Sequence, residues 1–172
     1  MTQNSTTAIE GTLHSSQGKG VVRLRARYGH PLTELWSALS DPERLAGWFG
    51  NVSGELRSGG EFSAFVYSSE WDGHGRIDEC RPSERLVVTM WEEEGLEHTA
   101  AADLEVEESL TTLRLQVSGV PLEFAWAYAS GWHEHLDDLG SYLEGRHRSR
   151  KSSDSQFDDF AATYRDISVE PL

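Results

Sequence analysis

The clearest hydrophobic pattern in the chain lies in residues 124–145, where apolar positions recur every three or four residues. This stripe consists of Phe124, Tyr128, Trp132, Leu136, Leu139 and Leu143. Such spacing keeps side chains on one face of an α-helix. Pro121 precedes the segment and Gly145 follows it, which suits the start and the end of a helix. Acidic residues of the other face, such as Glu134 and Asp138, are expected to face water.

Upstream of this helix, the pattern begins with a strand. Residues 21–28 alternate apolar side chains with three arginines, which is the period of a strand with one face in water. Two short helices are predicted next, with Ser40 capping the second helix and Glu43 reaching back to it. The second helix is expected to end at Trp48 and Phe49. Residues 1–19 are rich in Ser, Thr, Gly and Gln, so they are predicted to be loose or to form a weak edge hairpin.

Residues 51–117 show a different pattern, in which short alternating segments are separated by turn sequences. Asp72 and Gly73 have the sequence of a hairpin turn. Many short strands with tight turns predict a meandering antiparallel sheet. A sheet with one apolar face and a long amphipathic helix can bury each other. The chain is therefore predicted to form a two-layer α+β domain.

Composition narrows the classes of partner. The 172 residues carry a formal net charge of −14, which argues against nucleic acid and anionic membranes as partners. The single cysteine, Cys80, excludes an internal disulfide and fits a reducing compartment. No apolar run reaches the length of a membrane span, and the N-terminus lacks a secretion signal pattern. We therefore expect a soluble cytoplasmic protein.

Residues 146–172 differ in character from the rest of the chain. A basic run beginning at Arg146 is followed by a serine-rich stretch, and then by apolar residues at helical spacing. These apolar residues are Phe157, Phe160, Ala161, Tyr164 and Ile167. An isolated short helix is marginally stable without a surface to pack on. The tail helix is expected to pack on its own domain or on a neighbouring copy, which would make a homodimer.

Four segments, in this order along the chain, resemble the activator of heat-shock-protein-90 ATPase homologue-like branch of the SRPBCC/START-like superfamily. They are LWSALSDPERLAGWFG (35–50), SGGEF (58–62), GRIDECRPSERLVVTMW (75–91) and GWHEHLDDLGSYLEG (131–145). The resemblance implies a helix-grip fold, in which a curved seven-stranded antiparallel sheet wraps a long C-terminal helix and encloses an apolar cavity. It also implies two short helices after the first strand. Residues 1–145 would then be one START-like domain, with 146–172 as a basic linker and an amphipathic tail helix.

For function, the resemblance implies less, because one fold hosts many activities. The superfamily includes lipid and hormone binders, polyketide cyclases and chaperone-associated proteins of the stress response. A co-chaperone role would normally involve a second, client-binding domain, for which we expect no room in this chain.

Candidate ligand contacts follow from the helix stripe and from the alternation of the strands. They are Trp48, Phe49, Phe62, Val66, Thr89, Trp91, His98, Ala100, Ala102, Leu115, Phe124, Tyr128 and Trp132. Flat aromatic side chains opposite small residues suit an apolar or aromatic ligand with few polar anchors. A fully packed core remains an equal alternative. His98 or Glu79 is a candidate polar anchor, although each also fits a surface or core position.

Signals for catalysis are few. His98, His74 and Tyr128 are weak candidates for an acid or base. His133 and His135 do not have the spacing of a helical zinc site, so neither a metal nor a cofactor is expected. We favour binding of an apolar small molecule. The alternatives are a cyclase/aromatase-type enzyme and an interaction protein that acts through its tail.

Overall fold

The computed structural model describes residues 8–92, 97–146 and 156–172. The elements in chain order are β1 (Ala8–Ser16), β2 (Lys19–Tyr28), α1 (Leu32–Ser40), α2 (Pro42–Leu45), β3 (Gly50–Gly54), β4 (Glu61–Val66), β5 (Trp71–Arg81), β6 (Arg85–Trp91), β7 (His98–Glu107), β8 (Leu110–Pro121), a 3₁₀ turn (Leu122–Phe124), α3 (Ala125–Leu143), α4 (Phe157–Arg165) and β9 (Val169–Pro171). None of the described helices is both long and apolar enough to span a membrane.

The described strands form one sheet in the order β3-β4-β5-β6-β7-β8-β2-β1-β9. All neighbouring strands are antiparallel except β1 and β9, which are parallel. The predicted α+β helix-grip architecture is confirmed, but the described residues form nine strands, not seven. One extra strand, β1, comes from the segment predicted to be loose or an edge hairpin, and the other, β9, comes from the tail. The two short helices consequently follow the second strand.

Helix α3 lies against the concave face of the sheet, and β2 shows why. Its alternate residues Val22, Leu24 and Ala26 are buried. Its arginines lie on the convex face, where Arg25 forms an ion pair with Glu10 at 2.9 Å. The hydroxyl of Tyr28 donates a 2.8 Å hydrogen bond to the carbonyl of Leu136 on α3. The burial that seats this phenol beneath the helix also raises the pKa of Tyr28. The strand alternation read from the sequence is therefore correct here.

The cap of α2 differs from the prediction. The side chain of Asp41, not Ser40, accepts the hydrogen bond from the backbone N–H of Glu43, at 3.0 Å. The Ser40 hydroxyl instead donates to the carbonyl of Trp36 in α1. Pro42 explains the shift, because proline favours the first position of a helix and places the cap one residue before it.

The hairpin predicted at residues 72–73 was also wrong. Asp72 and Gly73 lie inside β5, and the chain reverses at residues 67–70, where Glu70 has a φ of 56°. A Cβ atom on Gly73 would lie 2.4 Å from Cζ2 of Trp71. The glycine therefore makes room for the Trp71 ring within a strand.

The tail returns to its own domain. Helix α4 packs on α3 of the same chain, β9 pairs with β1, and the N–H of Leu172 donates to the carbonyl of Ser15 at 2.9 Å. The predicted tail helix thus packs within the chain in this structure, and the homodimer stays a prediction. The predicted basic linker falls largely on residues 147–155, which lie outside the described residues.

Candidate functional site

Two neighbouring spaces lie between α3 and the concave face of the sheet. The outer chamber measures about 500 Å³ and the inner chamber about 120 Å³. Phe49, Met90, Trp132 and His135 border both chambers. The remaining residues of the outer chamber come from the sheet, the β4–β5 loop, α3 and the tail. They are Val66, Ser68, Ser69, Trp71, Glu92, His98, Ala127, Tyr128, Gly131, Glu134 and Phe157.

The outer chamber is open partly because α3 presents small residues to it. Ala127 and Gly131 lie one turn apart on this helix and both line the chamber. A Cβ atom on Gly131 would meet nothing within 4 Å. Glycine inside a helix costs about 0.5–1 kcal/mol relative to alanine. The helix therefore carries a destabilising residue at the position where space is left.

Aromatic rings surround one buried imidazole at the border of the two chambers. The ring of His135 makes edge contacts with Phe49 and Trp132, each with centroids 5.1 Å apart. Its Nδ1 lies 3.1 Å from Oγ of Ser68, within hydrogen-bond distance. The surface of this wall is mostly apolar, but the Ser68 hydroxyl and the His135 imidazole are groups that can form hydrogen bonds with a ligand.

A second polar pair also lines the outer chamber. The rings of His98 and Tyr128 are in edge contact, with centroids 5.5 Å apart. Burial, together with the negative charge of Glu92, raises the pKa of Tyr128. The Tyr128 phenol therefore keeps its proton at neutral pH and is suited to donate a hydrogen bond.

The inner chamber is lined almost entirely by apolar groups. Ala64 of β4 and Ala100 and Ala102 of β7 contribute small side chains, and Phe62 also lines the chamber. The indole N–H of Trp48 donates to the carbonyl of Ala38 at 3.0 Å, which fixes this ring as part of the wall. Small side chains and aromatic rings line this space together.

Most of the predicted contact residues line one of the chambers. They are Trp48, Phe49, Phe62, Val66, His98, Ala100, Ala102, Leu115, Tyr128 and Trp132. Their role as ligand contacts stays a prediction. Of the two candidate anchors, His98 lies at the outer chamber. Glu79 forms ion pairs with Arg81 at 2.7 Å and with Arg85 at 3.2 Å, which fits a surface role.

Thr89 and Trp91 line neither chamber, and this part of the prediction is corrected. Both belong to β6, where Met90 faces the chambers and its neighbours therefore face the convex side. The Thr89 hydroxyl donates to a carboxylate oxygen of Asp78. Trp91 lies beside His74, with ring centroids 6.4 Å apart. His74 is consequently outside the site as well.

Phe124 is also corrected, because it is 50% exposed and lies just before α3. A helix turns once per 3.6 residues, so steps of four rotate a stripe by about 40° each. Phe124, which is two such steps before Trp132 and belongs to the 3₁₀ turn ahead of α3, lies off the buried face. Glu134 differs from its prediction in the opposite direction, because it was expected to face water and is only 3% exposed.

Several lining residues were not among the sequence candidates. In the outer chamber these are Ser68, Ser69, Trp71, Met90, Glu92, Ala127, Gly131, Glu134, His135 and Phe157. Gly131 could have been identified from the sequence, because glycine is unfavourable in the middle of an amphipathic helix and usually has a packing or functional role there. Phe157 had none, since its position depends on how the tail folds back.

His133 and His135 point to different neighbours. Nδ1 of His133 lies 2.7 Å from the hydroxyl oxygen of Tyr164, and its ring is 4.0 Å from that of Phe160. Burial in this contact between α3 and α4 lowers the pKa of His133 to about 4. Among the described residues, no three His, Cys, Asp or Glu side chains could together hold a metal ion.

Acidification is expected to weaken the docking of the tail. When α4 is released, His133 should titrate near its ordinary pKa of about 6.5, against about 4 when docked. Between these values the released state binds more protons, so docking is strongest above about pH 6.5 and weakens as the pH falls towards 4. Protection factors of the α4 amides in hydrogen exchange should therefore be lower at pH 5 than at pH 7.

His133→Phe is the control for this experiment, because it keeps an aromatic ring but cannot titrate. Asp137, one turn further along α3, has a pKa raised by burial and by Glu134. Protonation of Asp137 stabilises the folded chain at low pH. Because Asp137 is present in both the wild type and His133→Phe, its effect is common to the two proteins. Equal protection of the wild type at pH 7 and pH 5 would contradict the assignment of His133.

Residues 29–144 match the family Activator of Hsp90 ATPase homolog 1-like protein. No curated protein matches the chain. Among solved structures, the crystal structure of CalU16 from Micromonospora echinospora is similar, with 25% identity, a TM-score of 0.75, and coverage of 92% of this chain and 96% of CalU16.

Two further structures extend the comparison. DynU16, a protein in the dynemicin biosynthetic locus, is 27% identical with a TM-score of 0.69, over 74% of this chain and 48% of DynU16. Protein MLL2253 from Mesorhizobium loti is 19% identical with a TM-score of 0.66, over 73% of this chain and 97% of that protein, and shows a shared fold.

Proposed function

Because the chain belongs to the Activator of Hsp90 ATPase homolog 1-like protein family, we propose that it binds a small apolar or aromatic molecule in the outer chamber. The family and its structural neighbours have a fold that can hold a ligand between sheet and helix. The volume of the chamber, about 500 Å³, falls within the usual range of small-molecule sites.

The observation that carries this proposal is the open space at Gly131. A packed core would fill a position that borders a space lined by aromatic rings, yet α3 places there the residue that is least favourable for a helix short of proline. The space is bounded by Phe49, Tyr128 and Trp132, which offer flat apolar surfaces. An aromatic ligand in this space would make the van der Waals contacts that a larger side chain at position 131 would otherwise make.

The polar groups of the chamber indicate what else the ligand carries. Ser68 and His135 form one polar pair, and His98 and Tyr128 form another. A mainly apolar ligand with one or two hydrogen-bonding groups would satisfy both. The place of DynU16 in a biosynthetic locus supports a ligand of the kind made by such loci. The single cysteine and the acidic composition support a cytoplasmic setting.

A titration with N-phenyl-1-naphthylamine, a neutral aromatic probe that fluoresces in apolar surroundings, tests this proposal. We expect saturable fluorescence and a rise in the melting temperature. Ligand at 100 times its Kd adds about 2.7 kcal/mol to the free energy of unfolding, or roughly 5–10 °C for a chain of this size. The proposal would be contradicted if this probe and a panel of apolar compounds produced no saturable fluorescence and no change in the melting temperature.

The contact between His98 and Tyr128 favours a second candidate, a cyclase/aromatase-type enzyme in which this pair exchanges protons with a bound substrate. His98→Ala separates the two functions. Binding of the probe should survive the substitution, whereas turnover of a substrate that needs this acid or base should fall by roughly 10²–10⁴-fold. Substrate turnover that is unaffected by His98→Ala would remove the histidine from the catalytic proposal.

A further inference from the structure

The first residues of the described tail reach the outer chamber. Phe157 forms part of its lining, and its ring centroid is 6.5 Å from that of Trp126 on α3. The backbone N–H of Gln156 donates a 2.6 Å hydrogen bond to Oε2 of Glu134. Glu134 also lines the chamber. One carboxylate therefore borders the ligand space and holds the start of α4.

The rest of α4 is attached to the domain outside the chamber. Ala161 and Tyr164 are 1% and 2% exposed, and the guanidinium of Arg165 lies 4.1 Å from the ring centroid of Trp126. A Cβ atom on Gly11 would lie 2.3 Å from the hydroxyl oxygen of Tyr164, so β1 has a glycine where this side chain enters. These contacts set the position of Phe157 without touching the chamber.

We infer that α4 is a component of the ligand site, in which Phe157 is a specificity-determining wall, and that ligand binding and tail docking strengthen each other. The inference rests on the proposed function of the outer chamber. Since the family match ends at residue 144, this wall is added to the family domain by the tail. Coupling of this kind is reciprocal, because a ligand that binds the docked state better must favour docking by the same factor.

Three substitutions with the N-phenyl-1-naphthylamine probe test the coupling. Phe157→Ala removes the wall, and Tyr164→Ala weakens docking at a position outside the chamber. Phe124→Ala is the matched control, because it deletes the same ring from an exposed position that lines neither chamber. We expect the first two to weaken probe binding by roughly 5–150-fold, the usual range of coupling between sites, and the control to bind like the wild type.

Hydrogen exchange of the wild type provides the reciprocal measurement. Saturation with the probe should slow exchange of the amides of Gln156 and Phe157 and of α4, since bound ligand opposes local opening. If all three variants bind the probe like the wild type, with no change in tail exchange, the inference is overturned while the proposed function stands. If the wild type does not bind the probe, the chamber fails the test of its proposed function, and the inference falls with it.

Discussion

Replacing Gly131 by leucine is expected to weaken ligand binding strongly without unfolding the protein. The new side chain would project from α3 into the outer chamber, where a Cβ atom meets nothing within 4 Å. A ligand could then enter only by displacing packed atoms, which costs about 1–3 kcal/mol and lowers affinity by roughly 5–150-fold. Leucine is also a better helix former than glycine, so the helix itself should gain stability.

Gly131→Ala is the matched control for this substitution. It adds a single methyl group to the same open space and should keep most of the affinity for N-phenyl-1-naphthylamine. It should also raise the free energy of unfolding by about 0.5–1 kcal/mol, as expected for glycine to alanine inside a helix. Probe titration and urea denaturation of both variants check the two effects. Wild-type affinity in Gly131→Leu would show that the ligand does not occupy the outer chamber.

Leu139→Ala is expected to have the largest effect on stability. Leu139 lies two turns beyond Gly131 on α3, is 0% exposed, and lines neither chamber. Truncation of a buried leucine removes transfer free energy and leaves a cavity, at a cost of about 2–5 kcal/mol. The midpoint of urea denaturation should fall accordingly, with the slope of the transition unchanged.

Leu143→Ala is the control for this prediction, because Leu143 ends the same helix and is only partly buried. It should cost clearly less than Leu139→Ala. Below the denaturation transition, both variants should bind the probe with wild-type affinity. A cost under about 1 kcal/mol for Leu139→Ala would mean that the far end of α3 is not seated on the sheet as described.

These predictions separate two parts of α3. The half beyond Leu136 is packed on the sheet, while the half around Gly131 borders the outer chamber. The division explains why the stripe of six residues seen in the sequence does not form one surface. Leu136 and Leu139 are buried, Tyr128 and Trp132 line the cavity, and Phe124 is half exposed.

Strand faces could be predicted where the two sides of a strand differ in polarity. In β2 the arginines identify the convex side, so the buried residues followed directly from the alternation. In β6 both sides are largely apolar, and the pattern did not choose between Met90 and its neighbours Thr89 and Trp91. The pairing of Met90 with His98 on β7, a residue that also lines the outer chamber, shows that Met90 faces inwards.

The contribution of the tail could not be predicted, because a helical pattern does not specify the surface on which the helix packs. The sequence indicated the helix of residues 157–165 but not its contact with α3, nor the strand that follows it. The same reason applies to Glu134, an acidic residue that looks exposed on a helix until a second helix covers it. His135 and Ser68 are 67 residues apart and likewise meet only in three dimensions.

The central claim is that an apolar ligand occupies the outer chamber, and a nitrogen–proton correlation NMR titration with N-phenyl-1-naphthylamine tests it most directly. Trp132 lines the chamber, whereas Trp91 lies on the convex face of the sheet. We predict that the indole N–H signal of Trp132 and the amide signal of Gly131 shift with saturation, while the indole signal of Trp91 does not. A shift at Trp91 with unchanged signals from Trp132 and Gly131 would contradict the account.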